Sequence, residues 1–125
     1  FSDPHTLIYG HNMKNLSMFG RLKYYKTEKD YYEDHQYFQI FTGDKIYRYE
    51  IFAYCDIPAD SMVYSVYGSD SEQLLPLIRE IKQKSYQDTG IAVGAGDHIV
   101  TLSTCTEDED ERMIVSAVRV DEYVR

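Results

Sequence analysis

Residues 36–57 read QYFQIF, TGDK and IYRYEIFAYCDI, and this stretch restricts the fold more than any other. Two runs rich in β-branched and aromatic residues flank a Gly-Asp turn, the pattern of an antiparallel hairpin. Pro58 ends the second run, since proline has no N–H to give to a ladder. More β-rich runs follow the same grammar: HTLIYG (5–10), IVTLSTC (99–105) and RMIVSAVRV (112–120). SMVYSVYG (61–68) fits either a strand or an extended loop.

Helices fill less of the chain. DSEQLLPLIREIKQKSY (70–86) is the one long helical pattern, with Leu74, Ile78 and Ile81 on one face and lysines in the last turn. Asp70 or Ser71 can cap it, and Pro76 makes its first turn irregular. LSMFGRLKYY (16–25) predicts a short helix, and TEKDYYEDH (27–35) a helical turn opened by Thr27 or Asp30. The expected fold class is mainly β with short peripheral helices, the sheet closing into a barrel.

A chain of 125 residues makes a single domain. A net charge of −8 disfavours a nucleic-acid backbone or an anionic membrane surface, which both need clustered Lys and Arg. Thirteen tyrosines against five phenylalanines suit half-buried strands and groove walls. No run approaches the ~18 apolar residues of a membrane span. The chain opens on Phe1 and almost at once enters a strand-like run, so it reads as a piece of a longer polypeptide. His5, His11, His35 and His98 are scattered, with no C-x-x-C and no H-x-x-x-H, so no metal and no other cofactor is expected. A calcium site on the acidic run 107–111 lacks the EF-hand spacing.

That acidic run raises the chemical question. IVTLSTC ends in a cysteine, five consecutive acidic residues follow at 107–111, and Arg112 opens the next run. Cys105 can be a buried small hydrophobe or, if a cation lowers its pKa, a nucleophile. His11, at the end of an earlier strand, can be a turn residue or the partner of a thiol met in space. Cys55 reads as a core thiol.

The segments TLSTC and IYGHNM, with SMFGRLKYY after the histidine, a helix before the cysteine strand and an arginine opening the next one, resemble the sortases, class B in particular. The order His, Cys, Arg matches, from Leu7 to Val120. The resemblance implies that Cys105 is the nucleophile, His11 its acid/base partner and Arg112 the third catalytic group. Arg119 competes for that last role but lies deep in its strand. Ser103 would lie in the substrate groove; Asn12 would orient the histidine or a peptide, and Tyr64 and Tyr67 would line the signal-binding loop. The implied reaction is transpeptidation: a C-terminal sorting signal is cleaved after threonine through a thioester, and the protein passes to a cell-wall amine.

The implied partners are the sorting-signal peptide and a lipid-linked peptidoglycan precursor, at the outer face of a Gram-positive membrane, held by an anchor outside this chain. A pilin lysine could serve as the amine instead, and a non-catalytic β-barrel binding module is the reading from another class. Class B sortases begin with an N-terminal helix and early strands that nothing here matches. Residues 1–125 are therefore expected to be the C-terminal portion of a single catalytic domain, with strand edges exposed.

Overall fold

A computed structural model describes residues 5–10, 24–28, 30–58, 60, 74–94, 96–105 and 110–124, with Cys105 given by its backbone. Among the described residues the elements follow in chain order: strand β1 (His5–Tyr9), helices α1 (Tyr24–Thr27) and α2 (Tyr31–Asp34), strands β2 (Tyr37–Phe41) and β3 (Lys45–Pro58), helix α3 (Leu74–Lys84), and strands β4 (Ile99–Cys105) and β5 (Glu111–Val124). The strands form one sheet in the order β1-β4-β5-β3-β2. Every pair is antiparallel except β1 with β4, which is parallel.

The hairpin forms as its sequence predicts, with Tyr37 opposite Glu50 and Phe41 opposite Ile46. Pro58 is the last residue of β3. Barrel closure is the expectation that changes. Among the described residues the sheet is open, because β1 and β2 lie at its two edges and do not pair with each other.

Strand β5 outruns its predicted end at Val120. Residues Asp121 to Val124 keep pairing with Arg48 to Lys45, and two cross-strand ion pairs flank this extension, Lys45–Glu122 at 3.1 Å and Arg48–Asp121 at 3.7 Å. The open edge of β3 beyond β2 is also occupied. The Tyr54 N–H donates to Ser85 Oγ, the Tyr86 N–H to the Tyr54 carbonyl, and the Thr89 hydroxyl to the Phe52 carbonyl. The chain after α3 thus satisfies groups that an edge strand leaves open.

Both faces of the sheet are covered. On one, Leu74, Leu77, Ile78 and Ile81 of α3 pack on Phe52, Ala53, Cys55, Ile57, Ile99, Ile114 and Val118. On the other, Tyr32 of α2 joins Tyr49, Ile51, Tyr54, Val100, Met113, Val115 and Ala117, with Tyr25 of α1 against them. The β3–β5 register slips between Ile51 and Ala53, so Phe52 is an extra residue. That bulge lets two successive side chains, Phe52 and Ala53, enter the α3 core, which strict alternation forbids.

The helix caps need correction. Thr27 is the last residue of α1, so it does not open α2. Asp30 does stand at the N-cap, but at φ 65° and ψ 8°, and its side chain makes no capping bond. A capping carboxylate reaches the first N–H groups from an extended backbone, not from a left-handed one. For α3, Pro76 is the third residue, where its missing N–H has no intrahelical partner to lose. The predicted caps Asp70 and Ser71, and residues 16–23 and 61–68, lie outside the described residues.

Candidate active site

The β4–β5 register sets Cys105 directly opposite Arg112. Facing residues of an antiparallel pair have Cα atoms roughly 4.5–5.5 Å apart. This pair closes the ladder, one residue after Thr104 opposite Met113, so it stands at the sheet's end. On its other side Arg112 faces Ile57 of β3. Its side chain is half-buried, and Nη1 donates to the Glu111 carbonyl at 2.8 Å.

Arg119 lies elsewhere. It faces Tyr49, and its guanidinium stacks 4.9 Å from the centre of the Tyr47 ring. It stands seven residues further along the strand than Arg112, roughly 23 Å of extended chain.

Strand β1 reaches the same end of the sheet. Tyr9 pairs with Ser103, and the Gly10 N–H donates to the Ser103 carbonyl at 2.9 Å. Gly10 is therefore tied to the residue two before Cys105. Predicted residues His11, Asn12, Tyr64 and Tyr67 lie outside the described residues, as does the acidic run 107–109. Ser103 is placed and wholly buried, so a peptide meets its side chain only if the atoms covering it move.

Thr104 is 1% exposed, and its hydroxyl has no hydrogen-bond partner among the described residues. Such a group keeps its desolvation cost with nothing to offset it. Thr104→Val should raise stability by about 1 kcal/mol in urea denaturation; a loss of similar size would mean the hydroxyl is bonded after all.

Cys55 is a core thiol. It is fully buried, and desolvation, reinforced by the Asp56 carboxylate, pushes the thiol up to about 12. It stays neutral, and so unreactive, across the physiological range.

Tyrosine lines a cavity against α1 and α2. Tyr25, Tyr31, Tyr32 and Tyr54 wall a space of about 380 Å³ at α1, α2 and β3. Its described lining includes none of the predicted site residues.

Sequence reasoning also passed over His5, Thr101 and Ser116. They are buried, and their side chains form one chain across β1, β4 and β5: His5 Nε2 to Thr101 Oγ1 at 2.9 Å, and Thr101 Oγ1 to Ser116 Oγ at 2.9 Å. The only trace in the sequence is a polar residue inside each of three β-rich runs.

Comparison with known proteins identifies the family. A sequence model described as "Sortase domain" matches residues 2–120. The chain is similar to Sortase B of Listeria monocytogenes, 34% identical over 110 residues, which are 88% of this chain and 44% of that protein. The solved structure of Sortase B from Listeria monocytogenes superposes with a TM-score of 0.80 at 34% identity, over 94% of this chain and 65% of that one. Sortase B of Clostridium perfringens gives 0.83 at 27% identity, over 96% of this chain and 67% of that one. The chain spans less than half the length of the curated relatives it matches, 44% and 47%.

Proposed function

The chain belongs to the sortase family, and from that premise we propose that it is the nucleophile-bearing part of a class B sortase, a cysteine transpeptidase. The observation that carries this reading is the register that faces Cys105 with Arg112 at the end of the sheet. Residues 1–125 then make up a single domain, the C-terminal portion of the catalytic unit.

In this reading the Cys105 thiolate attacks the threonine carbonyl of a C-terminal sorting signal. An imidazolium at His11 lowers the thiol pKa by favouring the thiolate. His11 follows Gly10 directly, one Cα step of about 3.8 Å along the chain. The carbonyl oxygen gains negative charge as the tetrahedral intermediate forms, and the Arg112 guanidinium stabilises it. When the C–N bond breaks, His11 gives its proton to the leaving amine. The thioester carbon is then attacked by a second amine, whose proton returns to His11 while the thiolate of Cys105 departs.

Asn12, Tyr64 and Tyr67 serve the peptide groove in this account, and Ser103 joins them once its covering atoms shift. The accepting amine belongs to a lipid-linked cell-wall precursor, and the reaction runs at the outer face of a Gram-positive membrane. Among the described residues no helix is long and apolar enough to cross a membrane.

Product analysis tests the proposal. The whole protein is incubated with a library of sorting-signal peptides and an amine acceptor, and products are identified by mass. An amide-linked product that is absent with Cys105→Ser is expected. Hydrolysed peptide alone would make the protein a protease, and no product with an inert Cys105 would make it a binding module. The acceptor that works, a cell-wall amine or a pilin lysine, tells anchoring from polymerisation.

A further inference from the structure

We infer that His5 is a positioning residue for the active site, acting through the hydrogen-bonded chain His5–Thr101–Ser116 that locks β1 in register with β4. The inference rests on the transpeptidase reading only for its catalytic consequence.

Strand β1 is a weakly held element. It has five residues, lies at the sheet edge and pairs only with β4 among the described residues. Of those five, only His5 is buried, at 2% exposed. Its imidazole replaces the apolar anchor an edge strand ordinarily uses, and the anchor is directional. Nε2 meets Thr101 Oγ1 at 2.9 Å, and that oxygen meets Ser116 Oγ at 2.9 Å. Thr101 and Ser116 are fully buried and face each other in the β4–β5 ladder. The chain therefore ties the edge strand to the two strands that carry Cys105 and Arg112. Either proton order satisfies it: the imidazole donates toward Ser116, or the hydroxyls donate toward the imidazole.

Register is what this chain specifies. A slip of one residue along β4 would move His5 away from Thr101 and turn every β1 side chain to the other face. It would equally displace Gly10 from Ser103, at the far end of the strand, roughly 16 Å away at the rise of a β residue. Residue His11 follows Gly10 directly. A polar contact at the start of β1 thus sets where its end presents the acid/base residue, although His5 lies too far away to touch the substrate.

The test uses three substitutions and two readouts. His5→Leu removes the bond but fills the space, Ser116→Ala breaks the chain at its far end with a small change in volume, and His5→Gln restores a nitrogen near the Nε2 position. The first readout is amide hydrogen exchange at Gly10. It should quicken about five- to tenfold in His5→Leu and Ser116→Ala and return toward the native rate in His5→Gln. The second is turnover in the whole protein, where kcat should fall by a similar factor with KM unchanged and be rescued by His5→Gln. Unchanged Gly10 exchange in Ser116→Ala, which needs no bulky replacement, would overturn the inference. Faster exchange with native kcat would overturn it too. If the native protein forms no product, the transpeptidase reading fails, while Gly10 exchange still decides whether the chain sets the register.

Discussion

In the proposed mechanism Arg112→Ala is expected to slow formation of the Cys105 thioester about 10²- to 10³-fold, the usual effect of removing one donor aimed at a developing oxyanion. The expectation follows from the register. Arg112 faces Cys105 across one ladder position, and its guanidinium already reaches a neighbouring carbonyl oxygen, that of Glu111. A peptide carbonyl bound at the end of the strand presents the same kind of acceptor. Arg112→Lys should recover only part of the loss, because an ammonium cannot reproduce the planar fork. Arg119→Ala is the control. Its guanidinium stacks on Tyr47, so thioester formation should stay within about twofold of native. Single-turnover kinetics with a saturating sorting-signal peptide separate this step from its resolution by amine. Equal losses in Arg112→Ala and Arg119→Ala would remove Arg112 from the mechanism.

The second large effect is on stability. Leu77→Ala should cost about 2–5 kcal/mol in urea denaturation, the range for emptying a fully buried leucine site. Leu77 is 0% exposed, packed between α3 and the sheet among Phe52, Cys55 and Ile114. Leu75, two residues earlier on the same helix, is 39% exposed. Leu75→Ala should therefore cost less than about 1 kcal/mol. A comparable cost at both positions would mean that α3 buries a different face. A small loss at Leu77 would mean that the helix contributes little to holding the sheet.

Local chemistry made part of this fold readable. The hairpin announced itself through a Gly-Asp turn between β-rich runs, and β4 spans the same residues, 99–105, that its apolar run marked. The α3 face was legible at Leu74, Ile78 and Ile81 through helical spacing. Leu77 escaped notice because it follows Pro76, where the pattern looked broken.

Long-range features left weaker signals. The Phe52 bulge breaks strand alternation, and only its packing under α3 accounts for it. The final turn of pairing in β5 depends on Lys45 and Arg48, more than seventy positions earlier in the chain, meeting Glu122 and Asp121. Asp30 carries the right side chain for a cap but the wrong backbone conformation.

The site divides in the same way. Cys105 and Arg112 are close in sequence, and a two-strand ladder brings them face to face. The meeting of β1 with β4 spans more than ninety residues, so only the family resemblance pointed to His11. His5, Thr101 and Ser116 read as unremarkable polar residues in three separate strands, and nothing local ties them together.

The most direct measurement is the intact mass of the whole protein after brief exposure to a sorting-signal peptide without any amine, followed by mapping of the modified peptide. The account predicts an acyl adduct on Cys105 that hydroxylamine releases and that does not form in Cys105→Ala. An unmodified Cys105 with a peptide that the protein binds, or an adduct that persists in Cys105→Ala, would contradict it.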